Sequence, residues 1–180
     1  MHPTRAYDGD DMLLEAYPRT IEAWRRANPR CALEDLMAAF VESPHFDASS
    51  QVPTSRNAIS LEEAFFRFCE ERSIGDHETR KAECARALIR RLVDTPLPLF
   101  QLPNFVCTAP RGYFAILQED GGMTLCAAIE QRFVTGRVTA FLADLLTSRE
   151  RPSLVAMRFD VSSAELAATC TVLRRMGLLV

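Results

Sequence analysis

The order of structural signals in the last third of the chain, Arg111–Val180, constrains the fold most strongly. An apolar run over residues 113–118, the turn sequence Glu-Asp-Gly-Gly and a second apolar run over residues 123–129 predict a β-hairpin. Apolar residues then recur at helical spacing from Val138 to the end of the chain. The sequence therefore predicts strands first and helices after them.

A third short strand is predicted at Gln131–Val134, although no turn containing glycine or asparagine separates it from the hairpin. Three helices should follow it. Pro152 suits the first turn of the second of these helices, and Ser162 with Glu165 forms a capping box that starts the third. Gly177 is expected to end the third helix.

The first half of the chain is predicted to be helical, because apolar residues repeat at helical spacing in four segments. Pro18 should begin a new helix or bend the first one, Ser60 should cap a helix that starts at Leu61, and Asp76 should cap a fourth. Residues 45–57 lack a period and are predicted to form an exposed loop.

Several charged residues of this half are predicted to lie on solvated helix faces. They are Glu62, Glu63, Glu70 and Glu71 in the third helix and Glu78, Arg80, Lys81, Glu83, Arg86, Arg90 and Arg91 in the fourth. Adjacent carboxylates point away from one another on a helix, so neither glutamate pair is expected to act as a catalytic acid–base pair.

A proline-rich segment divides the chain. Prolines at positions 96, 98, 103 and 110 exclude a helix, while the apolar residues between them favour a strap over a free tether. The predicted organisation is a helical domain over residues 1–95, a connector over 96–110 and a small winged-helix-like domain over 111–180. The expected fold class is α+β.

Composition narrows the class of function. The formal charge is −3 and the 21 basic residues are not clustered, which weakens a role in nucleic-acid binding. The six cysteines form no C-x-x-C pair and the chain has three histidines, so no metal site wholly owned by this chain is expected. With no apolar run long enough to span a bilayer and no signal segment, we expect a cytoplasmic protein without membrane association.

The strands-then-helices order and the ending Val172–Leu179 resemble the PqqD-like recognition element of enzymes that modify ribosomally made peptides. In that family a leader peptide adds as an extra strand at a sheet edge and presses apolar side chains against the third helix. The resemblance implies a leader-binding edge at Gln131–Val134 facing the helix over residues 164–176. The implied peptide-binding residues are Gln131, Arg132, Phe133, Val134, Leu166, Cys170, Leu173 and Arg174, the arginines meeting acidic leader residues.

The helical half resembles a second family. The segments Tyr17–Pro29, Phe40–Phe46 and Ser60–Phe68 are similar to the helical part of the MbnC and TglI proteins, which partner multinuclear-iron oxidases of the MbnB and TglH type. The resemblance implies a noncatalytic subunit of a heterodimer. It would bind the leader of a precursor peptide and help hold a peptide cysteine at iron that the partner enzyme binds, with no cofactor of its own.

Two other functions were compared with this one. A winged-helix transcriptional regulator would read DNA with its third helix, but the front of that helix offers Ser162, Ser163, Glu165 and Thr169 and no cation. A stand-alone enzyme would need a catalytic motif, and no Ser/His/Asp order, phosphate loop or H-E-x-x-H sequence is present. The first of these stays the alternative function.

Overall fold

The protein is α+β, with helices throughout and one four-stranded antiparallel sheet, as predicted. The structure, a computed structural model, describes residues 12–49, 58–94, 102–119 and 121–180. Contacts between Cα atoms divide these residues into two compact units. Residues up to Leu88, with Leu102 and Pro103, form the helical unit; Ile89–Asp94 and Asn104–Val180 form the sheet unit. Among the described residues, no helix has both the length and the apolar character needed to cross a membrane.

The helical unit begins with a helical segment over residues 12–16. Its helices are α1 (Pro18–Ala27), α2 (Leu33–Val41), α3 (Pro44–Ser49), α4 (Leu61–Glu71) and α5 (His77–Asp94), the last turn of α5 being counted in the sheet unit. Pro18 starts a new helix, one of the two predicted outcomes, because a proline at the first helical position forfeits no helical hydrogen bond.

An aromatic cluster forms the core of the helical unit. The rings of Tyr17, Phe40 and Phe68 surround Phe65, whose centroid lies 5.0 Å from that of Tyr17 and 5.1 Å from that of Phe40. All four side chains are at most 1% exposed. The Tyr17 hydroxyl donates a hydrogen bond of 2.6 Å to the carbonyl oxygen of Glu62, so the one polar atom of the cluster is satisfied.

The predicted exposed loop after α2 is wrong for its first residues. Pro44 starts the short helix α3, and the Ser43 carbonyl accepts a hydrogen bond of 3.1 Å from the amide of Phe46. A serine–proline pair can begin a helix as well as end one, and the sequence signal did not distinguish the two. Residues 50–57 of the predicted loop lie outside the described residues.

Two charges predicted to be solvated, Arg80 and Glu83, are buried. Glu83 accepts hydrogen bonds from the amide and hydroxyl of Thr20 and from the amide of Arg19, the last at 2.7 Å. The Arg80 guanidinium donates to the carbonyls of Ile74 and Gly75. Both side chains satisfy backbone groups that a helix end or turn leaves without partners. The partners of Glu83 lie more than sixty residues away in the sequence, so its cap leaves no local trace there.

The acidic pair at the start of α4 is also buried, contrary to the prediction: Glu62 is 2% and Glu63 6% exposed. The Ser60 hydroxyl accepts a hydrogen bond from the Glu63 amide at 3.1 Å, which confirms the predicted cap. The Glu63 carboxylate, however, pairs with Arg67 one turn later and does not return to the Ser60 amide. Only half of the predicted capping box therefore forms.

The sheet unit contains β1 (Cys107–Ala109), β2 (Gly112–Glu119), β3 (Gly122–Ile129) and β4 (Arg132–Val138) in that order across the sheet. Strand β1 lies within the segment assigned to the connector. The predicted third strand exists, but its predicted bounds are wrong, because it runs through Gly136 to Val138. Glu130 and Gln131 take φ values of 50° and 61°, which places them in the tight turn between β3 and β4.

Three helices follow the sheet: α6 (Ala140–Thr147), α7 (Pro152–Arg158) and α8 (Ser163–Arg175). Both predicted helix starts are confirmed, since Pro152 occupies the first turn of α7 and Ser162 with Glu165 makes a reciprocal capping box at α8. The helices cover one face of the sheet. The core on that side contains Phe114, Leu125, Ala127, Ile129, Leu145, Val155, Cys170, Leu173 and Leu178.

Candidate functional site

An apolar cleft lies between the outer strand β4 and helix α8 and has a volume of about 660 Å³. We call it the β4–α8 cleft. It is lined from the sheet by Leu125 and residues 134–138, from α6 and its cap by Thr139, Phe141, Leu142 and Leu146, and from the C-terminal helix and tail by Ala168, Thr169, Val172, Leu173, Met176 and Leu178. Its size is that of a small-ligand or peptide side-chain pocket.

Strand β4 leaves one edge of its backbone open beside this cleft. It pairs with β3 on one side, and no strand pairs with its other side among the described residues. The two-residue turn makes Ile129 and Arg132 the closing hydrogen-bonded pair, and the pattern alternates from there. Phe133, Thr135 and Arg137 therefore direct their amides and carbonyls away from β3, towards the open edge.

The register also fixes which β4 side chains face the cleft. Val134 and Gly136 lie opposite Ala127 and Leu125, which belong to the core under the helices. Because side chains alternate along a strand, Val134, Gly136 and Val138 share the helix side of the sheet. The open edge of β4, with the outward backbone groups of Phe133, Thr135 and Arg137, therefore lies next to the apolar side chains that line the cleft.

Helix α8 forms the opposite wall and exposes aliphatic side chains. Val172 is 54% and Met176 39% exposed, while Leu173 beside them is buried in the core. Ala168, one turn before Val172, is also exposed, and its small side chain leaves room in the cleft. Neighbouring exposed apolar side chains in a concave surface are typical of a binding site.

The charge along the open edge of β4 is positive. Arg137 is the one charged residue that the cleft lining includes, and its side chain, like that of Phe133, lies on the sheet face away from α6–α8. No acidic residue takes part in the lining. In the part of the chain that the structure describes, Arg132, Arg137 and Arg175 have no ion-pair partner, whereas Arg174 donates a hydrogen bond of 2.7 Å to the carbonyl of Val180. An acidic group that approaches this edge would find guanidinium groups that are not already neutralised.

The structure divides the residues that the sequence analysis assigned to peptide binding. Val134 and Leu173 line the β4–α8 cleft. Leu166 and Cys170 instead pack in the core, because they lie on the inner face of α8. Their positions follow from helical spacing, which identifies the buried seam better than the half-exposed residues beside it.

The predicted peptide-binding residues of β4 and its turn also take different positions. Gln131 lies in the turn and Arg132 begins the strand. Phe133 points to the sheet face opposite the helices, where its ring centroid lies 5.2 Å from the guanidinium carbon of Arg90. A one-residue difference in register moves a side chain to the other face, so Phe133 does not line the cleft.

Sequence reasoning missed most of the cleft lining, including Gly136, Val138, Phe141, Val172 and Met176. One local signal could have indicated it. Gly136 lies within β4, and a glycine within a strand often marks a place where another chain or a ligand approaches closely.

The helical unit contains buried thiols, but they lack the electrostatics of a nucleophile. Burial raises the pKa of Cys69 to about 12 and raises the pKa of Cys84 further, so both stay protonated near neutral pH. Burial also raises the pKa of the Tyr17 hydroxyl beside Cys84. Within the described ranges, no three His, Cys, Asp or Glu side chains are grouped closely enough to hold a metal ion.

A smaller cleft of about 410 Å³ lies in the helical unit between Trp24, Asp35 and Arg72. Its polar side chains already have structural tasks. The Asp35 carboxylate accepts a hydrogen bond of 2.8 Å from the Ala32 amide, and the Arg72 guanidinium lies 4.7 Å from the ring centroid of Phe68. The β4–α8 cleft is therefore the better candidate.

Comparison with protein-family models, with curated proteins and with solved structures found no match. The function is therefore argued from the geometry of the cleft.

Proposed function

We propose that this protein binds an extended segment of another polypeptide as an additional strand on β4, with apolar side chains of that segment in the β4–α8 cleft. The observation that carries the proposal is an open strand edge directly beside an apolar cleft. Strand addition combines main-chain hydrogen bonds, which tolerate many sequences, with side-chain pockets, which select among them.

The energies show that both parts are needed. The three outward-facing residues of β4 offer six backbone groups, worth about 1 kcal/mol each as net hydrogen bonds. Association costs about 4–15 kcal/mol, so the backbone alone gives little affinity. Burial of an aliphatic side chain adds about 1.5–3 kcal/mol, which makes the contacts with Val172 and Met176 decisive.

The charge of the edge favours an occupant with acidic residues. Arg132 and Arg137 lie at the two ends of β4, and Arg175 lies at the end of α8. A segment that places carboxylates near these guanidinium groups gains charge-assisted hydrogen bonds. We therefore specify an acidic, apolar segment, consistent with the leader region of a precursor peptide.

We further propose that the sheet unit is a winged-helix-like recognition element and that the protein is a noncatalytic subunit of an iron-dependent peptide-modifying oxidase. The support is the strand-then-helix order and the resemblance of the helical half to MbnC and TglI proteins. In this role the partner enzyme binds iron and performs the oxidation, while this chain holds the leader so that a cysteine of the peptide reaches the iron.

Co-expression tests the proposal. The tagged protein is produced together with a candidate multinuclear-iron oxidase and a candidate precursor peptide, and the purified material is analysed by mass spectrometry and metal content. A complex that contains the peptide and an iron protein supports the proposal. Thr135→Pro should lose the peptide and keep the iron protein, whereas peptide retention by this variant would contradict strand addition.

The alternative function, duplex DNA recognition, predicts affinity that falls steeply with salt concentration. Over residues 163–173 helix α8 carries no cation, and its two arginines lie at its C-terminal end. This arrangement does not favour readout by the front of a recognition helix. A gel-shift assay that shows salt-sensitive duplex binding would restore the alternative.

A further inference from the structure

Gly136 occupies a position where the fold itself does not need a glycine. Its φ lies outside the left-handed region, in contrast to Gly121 and Gly177. A Cβ atom built at Gly136 would meet no heavy atom within 4 Å, whereas one at Gly112 would collide with the carbonyl oxygen of Ala128. Glycine in a strand weakens it relative to alanine, so its presence calls for an explanation other than packing.

The missing side chain opens a notch in the β4–α8 cleft. Gly136 lies between Val134 and Val138 on the helix side of the sheet, opposite Leu125 of β3. Leu125 lines the cleft and, with Leu173 of α8, belongs to the core below it. A side chain at position 136 would extend into this space, so glycine keeps this part of the cleft accessible from the strand edge.

We infer that this notch receives one large apolar side chain of the bound segment, preferably aromatic, from the residue directly opposite Gly136. The inference rests on the proposed strand addition. Gly136 directs its own backbone groups to β3, so an antiparallel segment meets it at a non-hydrogen-bonded position, where facing side chains approach most closely.

The surroundings suit an aromatic ring. An aromatic residue opposite a glycine covers the bare strand, an arrangement that stabilises glycine-containing edges. Met176 on the facing wall provides a thioether, which makes favourable contacts with aromatic rings. Gly136 thus determines specificity: it admits one anchor side chain, while the arginines at the ends of β4 attract acidic residues elsewhere in the segment.

A displayed library of random linear peptides, selected on the full-length protein, tests the inference. Wild type should enrich peptides with one position dominated by Phe, Tyr, Trp, Leu or Met. Gly136→Val fills the notch and should weaken binding of those peptides by about tenfold or more. It should in turn select Gly, Ala or Ser at the same position. Thr108→Val, an exposed position on β1 at the opposite edge of the sheet and outside the cleft lining, is the matched control and should keep the wild-type preference.

Stability measurements distinguish the loss of the notch from the loss of the folded structure. Gly136→Ala adds one methyl group into open space, so its melting temperature should equal or exceed that of wild type while the largest side chains lose affinity. If Gly136→Val and wild type select the same side chains, the notch is wrong and strand addition stands. If no variant selects any peptide above background, the proposed function fails and the inference fails with it.

Discussion

The two units of the chain use their polar and apolar groups in opposite ways. In the helical unit the buried charges hydrogen-bond to the unit's own backbone: Glu83 caps α1, and Arg80 caps the turn before α5. The aromatic cluster is buried. In the sheet unit, Val172 and Met176 stay exposed beside an open strand edge. The first unit pairs its buried polar groups internally, whereas the second leaves apolar side chains and a strand edge accessible.

The largest expected effect contrasts core and cleft. Phe65→Ala removes the centre of the aromatic cluster and should lower the free energy of unfolding by about 3–5 kcal/mol. Val172→Ala removes an exposed side chain and should change it by less than about 0.5 kcal/mol. Denaturant unfolding followed by circular dichroism measures both. Similar losses for the two variants would erase the distinction between the units.

The next effect compares the outward amides of β4, which face the open edge, with its inward amides, which pair with β3. Thr135→Pro removes an outward amide and should reduce peptide affinity at least about tenfold, with little loss of stability because proline is tolerated on a free edge. Gly136→Pro removes an inward amide, leaves a carbonyl of β3 without its donor and should destabilise the sheet unit by about 1–3 kcal/mol. Isothermal titration and thermal unfolding give the two quantities. Equal destabilisation by both prolines would mean that the assigned edge direction is wrong.

A smaller effect concerns the arginines at the open edge of β4. Arg137→Glu should weaken binding of an acidic peptide by about 1 kcal/mol at low salt, and the difference should shrink as salt rises, because exposed charges are screened. Arg149→Glu is the control, since Arg149 is also exposed but does not line the cleft. Affinities measured over a salt series should therefore converge for Arg137→Glu and wild type, and a constant difference would argue against an electrostatic role.

The smallest effect is a change in pH dependence. Burial raises the pKa of Glu63 above its ordinary value of 4.5, and the Arg67 guanidinium opposes the shift. The folded state therefore holds this proton more tightly than the unfolded state, so Glu63 makes stability fall as pH rises from about 4.5 through the raised pKa. Glu63→Gln removes the titrating group and should flatten this part of a stability–pH profile. An unchanged profile would show that burial does not control this carboxyl group.

The sequence predicted the features that local chemistry determines. Pro18, Ser60, Asp76, Pro152 and the Ser162–Glu165 pair act at the helix starts assigned to them. The prolines act through their own fixed backbone angle, and the caps act through partner atoms within a few residues, so a short stretch of sequence contains each signal.

The features that the sequence did not predict depend on distant partners. Glu83 caps a helix more than sixty residues away, as its bond to Arg19 shows, and no periodicity indicates that. The turn at Glu130 and Gln131 uses two residues that rarely take positive φ, so the sequence predicted the end of β3 at Ile129 but not this turn or the register of β4. The cleft follows from that register, which is why Phe133 was predicted to line it and Gly136 was not.

Hydrogen exchange of the backbone amides of β4 tests the central claim most directly. In the free protein the amides of Phe133, Thr135 and Arg137 should exchange rapidly, while those of Val134 and Gly136, paired with β3, should be protected. Addition of a peptide selected for binding to the protein should slow exchange at the three outward amides. Protection of these amides in the free protein, or no change on binding, would contradict strand addition at this edge.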